Sequence, residues 1–225
     1  MGRYDTIIFD CDGTLSRSDE AYFHGFRDAL QKYGFTPPTP QEYQEKYSGK
    51  VIRDIIRLYG EGAGTPLPPE VEACYWELEA PYLDRYTTSV TGAREAVLML
   101  QENFRTCVAS NASVKLIQYL LKSAALDDLF PHKLIFSSEH VERPKPAPDV
   151  FLHALRMMNA MPERSLIIED SSSGVRAGVA AGVDVIGFAG TSYDIDTKIA
   201  QLEAAGAVRV FASWPEIVSF IEKMN

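Results

Sequence analysis

The chain has 225 residues, 46% of them hydrophobic, and a net charge of −9 that on average repels nucleic acid and argues against it as a partner, since no lysine- or arginine-rich block offsets it, though a local basic pocket stays open. That length and apolar content suffice for one sizeable core, or for a core with a small accessory domain. Three cysteines, Cys11, Cys74 and Cys107, stand far apart and odd in number, which argues against a disulfide framework or zinc site; with no basic-then-apolar leader and no apolar run of membrane-spanning length, a soluble cytoplasmic protein is expected, without a membrane partner.

In chain order, residues 6–9 form an unbroken apolar run that reads as a buried strand. It ends abruptly in two acids, Asp10 and Asp12, followed by Gly13 and Thr14. Residues 18–87 show no strand pattern. Helical patterns over 20–33, 40–47, 51–59 and 68–85 are separated by the loop sequences TPPTP and EGAGTPLPP. Beyond residue 90 the pattern alternates. Helices over 93–102, 114–123, 149–158, 174–181, 195–204 and from 215 interleave with strands over 106–110, 133–136, 165–168, 184–187 and 207–211. Short apolar strands alternating with amphipathic helices predict an α/β class parallel sheet covered on both faces. The expected organisation is a core of residues 1–17 and 88–225, interrupted by an all-helical domain over residues 18–87. Paired chain crossings of this kind suit a hinged lid.

Ligands of parallel α/β sheets bind outside the carboxyl ends of the strands. Four predicted strand ends carry polar groups here: Asp10 to Thr14, Ser110-Asn111, the ERPKPAPD segment that holds Lys145 between prolines, and Glu169-Asp170-Ser171. Clustered carboxylates need a cation, and Mg²⁺ takes oxygen ligands, commonly one or two carboxylates with a substrate phosphate. Asp10 and Asp170 fit that role, with Lys145 helping to offset a bound phosphate. Gly13-Thr14 and Ser110-Asn111 offer N–H and hydroxyl donors to a phosphate, although Ser110-Asn111 also suits the capping of the next helix. Cys11 reads as a small apolar filler, Cys74 and Cys107 as core. The small-residue spacing around Gly174–Gly182 reads as close helix packing.

Taken in this order, the Asp10-Cys11-Asp12-Gly13-Thr14 motif, Ser110, Lys145 in RPKPAPD and the Glu169-Asp170 pair resemble the four motifs of the haloacid dehalogenase-like phosphohydrolases. The nearest resemblance is to the sugar-phosphate phosphatase and β-phosphoglucomutase group. It covers essentially the whole chain, and implies a Rossmann-like core with an inserted α-helical cap domain of the C1 type. It further implies that Asp10 is the nucleophile, forming an aspartyl-phosphate, and that Asp12 is the general acid and then the base. The same resemblance implies that Asp12 also lends its backbone carbonyl to Mg²⁺, that Asp170 ligates the metal directly with Glu169 in its outer shell, and that Ser110, the Asn111 backbone and Lys145 hold the phosphoryl oxygens. Aspartate at the second motif position favours phosphatase or phosphomutase chemistry over ATPase chemistry.

The segment YSGKVIRDIIR resembles the family's substrate-specificity loop, which makes Gly49, Lys50 and Arg53 substrate-binding candidates, together with Tyr22, His24 and Glu20 on the first cap helix. The mutase-type members carry a cap histidine twelve residues after the nucleophile. That position is Tyr22 here, the histidine is His24, and no lysine occurs between Lys50 and Lys115. Both departures favour hydrolysis of a small phosphate ester, a sugar or sugar-acid phosphate, by a monomer or weak homodimer. The alternatives are a hexose-phosphate mutase, a receiver-like domain phosphorylated on aspartate, and a non-catalytic metabolite sensor.

Overall fold

A computed structural model describes residues 3–47, 50 and 52–224 of the chain. The chain divides into two compact units, one holding the chain through Arg17 and again from Thr88, the other Ser18–Thr87. No helix among the described residues is long and apolar enough to cross a membrane.

The strands are β1 (Thr6–Phe9), β2 (Ser16–Arg17), β3 (Thr88–Ser89), β4 (Arg105–Ser110), β5 (Ile135–Ser137), β6 (Ser165–Glu169), β7 (Asp184–Phe188) and β8 (Arg209–Phe211). Six of them make one parallel sheet in the order β5-β4-β1-β6-β7-β8. Phe9 lies in register with Val108 on one side and Ile168 on the other, so the carboxyl ends of β1, β4 and β6 fall within two residues of one another. The expected α/β parallel-sheet core is present. β5 starts two residues later than the sequence pattern suggests. Pro131 enters extended, the Leu134 N–H bonds its carbonyl at 2.8 Å, and that single 3₁₀ turn holds His132 and Lys133 in solvent before burial begins at Ile135. β8 likewise starts late, because the Ala207 N–H still closes the end of the preceding helix on the Leu202 carbonyl at 3.1 Å. β2 and β3 pair antiparallel, Ser16 with Ser89 and Arg17 with Thr88, and are too short to leave a periodic signal.

The other unit is helical: α1 (Asp19–Lys32), α2 (Pro40–Lys46), α3 (Ile52–Ala63) and α4 (Pro69–Tyr86). α2 begins with a capping box, Thr39 accepting from the Glu42 N–H while the Glu42 carboxylate accepts from the Thr39 N–H. Phe23, Phe26 and Leu30 of α1 pack with Tyr43, Ile55, Val71, Cys74 and Tyr75 into this unit's own core.

In the α/β unit the helices are α5 (Ala93–Gln101), α6 (Val114–Ser123), α7 (Asp149–Met158), α8 (Ser172–Ala180), α9 (Ile195–Ala205) and α10 (Trp214–Met224). Alternate residues of β1 serve the two faces of the sheet. Ile8 joins Cys107, Ala109 and Ile167 beneath Phe151 of α7, Val175 of α8 and Leu202 of α9. Phe9 meets Phe130 and Trp214 of α10, on which Phe188 stacks. α8 sits close to the sheet at Gly178, where an added Cβ would stand 2.5 Å from Val185 and 2.9 Å from Ile167. Gly178→Val is therefore expected to overpack this seam, costing about 1–3 kcal/mol and, at about 2–4 °C per kcal/mol for a chain of this size, lowering the thermal midpoint measurably. A midpoint equal to that of the unsubstituted chain would mean that α8 is not seated on β6 and β7 as described.

Candidate active site

β1 leads on toward β4, and β6 leads on toward β7 on the opposite side. The crevice at the carboxyl ends of these two neighbours is thus the topological switch point of the sheet. Asp10 follows β1 directly, and its N–H bonds the Ile168 carbonyl at 2.9 Å, so the strand's geometry fixes where its carboxylate begins. The chain then turns sharply, the Gly13 N–H reaching the Ser16 carbonyl at 2.7 Å and the Leu15 N–H the Cys11 carbonyl at 2.8 Å. Gly13 has φ +86, and a Cβ there would lie 2.3 Å from an Asp170 oxygen, so glycine serves both the backbone and the close approach. Thr14 donates to Asp170 Oδ1 at 3.3 Å, and Thr191 donates to the Gly13 carbonyl at 3.0 Å. Asp12, half buried, belongs to the same turn through a bridge to Ser16.

Lys145 is buried, and its ammonium donates to Asp10 Oδ1 at 2.5 Å and to the Ala109 carbonyl at 2.9 Å. It stands 3.7 Å from Glu169 Oε2 and 4.6 Å from the centre of the Phe151 ring. Burial works against its charge, but Asp10 and then Glu169 outweigh that, and the group is held above the usual lysine range. Glu169 is pushed the other way by the same physics. Burial, and next the Asp10 charge, lift its carboxyl above the usual range against the pull of Lys145. Ser171, which caps α8 by accepting from the Gly174 N–H at 3.0 Å, donates its hydroxyl to Glu169 Oε1 at 2.6 Å. A Cβ on Gly174 would stand 1.8 Å from that oxygen.

One oxygen each from Asp10, Glu169 and Asp170 lie within 4.8 Å of one another. The donors are all carboxylate oxygens, the set a hard divalent cation prefers, with ligand distances of about 2.1 Å for Mg²⁺. Lys145, and Lys198 at 3.9 Å from Asp170 Oδ2, supply less positive charge than the three acids can supply negative. The residues present fit a bound cation. Asp12 contributes no side chain to this cluster.

Ser110 is buried at the end of β4, its Oγ accepting from the Ala112 N–H at 3.4 Å. Neither Ser110 nor Asn111 caps the next helix. Ser113 does, accepting from the Leu116 N–H at 3.2 Å. The Asn111 carboxamide instead bonds the Lys145 backbone. The core motif residues Asp10, Lys145, Glu169, Asp170 and Thr14 are thus brought into direct contact with one another. The remaining candidates belong to the helical unit. Tyr22 packs against its core, and His24 lies 4.4 Å from the Tyr86 ring with Nε2 3.6 Å from Glu20. Arg53, 85% exposed, stands 3.4 Å from Glu72, and Lys50 is exposed. Gly49 lies outside the described residues. Sequence reasoning places Ser171 at the strand end beside Glu169 and Asp170 but does not single out Thr191 or Lys198. Nothing in the local pattern of those two marks them, because their partners are brought to them only by the fold.

A parallel sheet with acids and a buried lysine gathered at its switch point defines the class, an α/β protein whose candidate site lies at the carboxyl ends of its strands. The chain belongs to the haloacid dehalogenase-like hydrolase family, which it matches over residues 7–188. It is 30% identical over 189 residues to the 6-phosphogluconate phosphatase of Escherichia coli (strain K12), covering 84% of each chain. It is 25% identical over 206 residues to the phosphorylated carbohydrates phosphatase of Thermotoga maritima, covering 91% of this chain and 92% of the relative. A conserved haloacid dehalogenase-like protein from Agrobacterium tumefaciens superposes with a TM-score of 0.87 at 30% identity, over 98% of this chain and 99% of that one. The chain is an enzyme of this family, in the company of members named as phosphatases.

Cation binding to the acid cluster is expected to stabilise the fold. Mg²⁺ at about 100 times its Kd adds about 2.7 kcal/mol, visible as a rise in thermal midpoint over the same protein in EDTA. Asp170→Asn is expected to remove most of that rise. An undiminished rise in Asp170→Asn would place the ion elsewhere.

Proposed function

We propose that this chain is a Mg²⁺-dependent phosphatase of a small phosphorylated carbohydrate or sugar acid, working through an aspartyl-phosphate on Asp10. The observation that carries this reading is the Asp10 carboxylate, held at a strand end 2.5 Å from the Lys145 ammonium, with oxygens of Glu169 and Asp170 beside it. The similarity to phosphatases of 6-phosphogluconate and of phosphorylated carbohydrates supports the choice of substrate class.

In this reading an Asp10 oxygen attacks phosphorus and the bond from phosphorus to the ester oxygen breaks. Asp12 gives its proton to the departing alkoxide. Asp12, now a carboxylate, takes a proton from water as the water oxygen attacks the aspartyl-phosphate, releasing inorganic phosphate and restoring Asp10. Lys145 opposes the negative charge on the phosphoryl oxygens throughout, its own charge sustained by Asp10 and Glu169 against burial. Ser110 and the Asn111 backbone serve as neutral donors to the same oxygens. Asp10, Asp170 and the Asp12 carbonyl, with Glu169 behind them, would hold a Mg²⁺, which when bound would supply further charge neutralisation. Selection of the leaving group falls to residues 18–87 acting as a cap, with Lys50 and Arg53 as cationic groups suited to a sugar carboxylate.

The test is phosphate release from a panel of hexose and pentose phosphates, 6-phosphogluconate, glycerol phosphate, phosphoglycolate and a nucleotide, with Mg²⁺ or with EDTA. Release from the sugar and sugar-acid members is expected, abolished by EDTA and reduced about a thousandfold or more by Asp10→Asn. Isomerised hexose phosphate without free phosphate would assign the chain to the mutases instead. Turnover that persists in Asp10→Asn would remove Asp10 as nucleophile.

A further inference from the structure

Asn111 stands one residue beyond β4, and its side chain is committed to a residue 34 positions away. Its Oδ1 accepts from the Lys145 N–H at 2.8 Å, and its Nδ2 donates to the Lys145 carbonyl at 3.2 Å. The two partners also fix which way the carboxamide faces, since an N–H needs the oxygen and a carbonyl needs the NH₂. Asn111 is itself anchored, its own carbonyl accepting from the Ser138 hydroxyl at 2.7 Å. At the neighbouring residue the Ser137 hydroxyl donates to the Ala112 carbonyl at 2.6 Å. The far side of the Lys145 loop is tied down separately, by Arg143 on both carboxylate oxygens of Asp149, at 3.2 and 2.9 Å. The end of β4 thus grips Lys145 twice: Ala109 holds the ammonium through its carbonyl, and Asn111 holds the backbone from which the side chain departs.

We infer that Asn111 is a positioning residue that acts through its side chain on Lys145, fixing the line along which the ammonium meets Asp10. This rests on the proposed phosphatase reading and adds to it, for there Asn111 serves through its backbone N–H alone. A carboxamide suits the task because it presents an acceptor and a donor side by side, matching the N–H and C=O of one residue. Aspartate keeps the acceptor but sets an oxygen against the Lys145 carbonyl, and alanine keeps neither while leaving the Asn111 backbone N–H in place.

The experiment is a double-mutant cycle on the full chain with Mg²⁺, using 6-phosphogluconate or whichever panel ester turns over fastest, with kcat and KM read separately and thermal midpoints alongside. Asn111→Ala is expected to lower kcat about a hundredfold, the scale of a misplaced catalytic group, with KM changed by less than about threefold. Asn111→Asp, nearly the same size, is expected to lose about tenfold in kcat and to hold its thermal midpoint if Asn111→Ala does not. In a Lys145→Ala background the further loss from Asn111→Ala is expected to be less than about threefold, because the residue it acts through is gone. Equal losses from Asn111→Ala in both backgrounds, or an Asn111→Ala enzyme with unchanged kcat, would overturn the inference while leaving the phosphatase reading intact. An unsubstituted chain that hydrolyses no panel ester would overturn that reading and the inference with it.

Discussion

The ammonium of Lys145, buried between the carboxylates of Asp10 and Glu169, is the interaction on which the rest of the site depends. An isolated buried carboxylate is strongly disfavoured, and two side by side more so. A buried ammonium alone is disfavoured for the same reason. Together they are tolerable, yet the balance is not neutral. With Asp170 the acids can outnumber the lysine, and the excess negative charge suits the crevice to a cation. Charge that would destabilise an ordinary core is here gathered at one crevice, a departure from local stability typical of functional sites.

Holding that arrangement takes unusual closeness between acids and main chain. Asp170 lies where a side chain on Gly13 would be, and Glu169 lies where one on Gly174 would be. The first glycine follows β1 and the second opens α8, so the two strands that flank the switch point each have a backbone that makes room for the acids following β6. Ser171 links these demands, since its one hydroxyl caps α8 and donates to Glu169. The small residues that read as helix packing in the sequence therefore divide. Gly178 does lie against the sheet, whereas Gly174 lies against a carboxylate.

Much of this was legible in the sequence because it obeys short-range rules. An apolar run that stops at Asp10-Cys11-Asp12, another that stops at Ser110 and a third that stops at Glu169 place polar groups on one rim of any parallel sheet, whatever its detailed packing. Lys145 was visible through its flanking prolines. What was not legible depends on which distant residue arrives where. The Asn111 carboxamide has no local sign that its partner is Lys145, and Thr191 reaches Gly13 across 178 positions. Partners of the helical unit's polar groups are of the same kind. That Arg53 faces Glu72 and His24 lies beside Tyr86 follows from how α1, α3 and α4 pack, which periodicity alone does not specify. The β2–β3 pair was missed for a different reason, being shorter than any periodic window can register.

That two-residue ribbon has a consequence for how such a protein diversifies. Because Ser16 pairs with Ser89 and Arg17 with Thr88, the chain leaves the α/β unit and returns to it at one point, as a hairpin does. Closing a loop of about 70 residues costs only about 2 kcal/mol more than closing one of about 7. The α/β unit is thus nearly indifferent to the size of what hangs between its paired strands, provided the insert folds by itself, as a segment with its own aromatic core is equipped to do. Inserts of different length and composition can be exchanged at this junction over evolutionary time while the residues at the strand ends stay where they are.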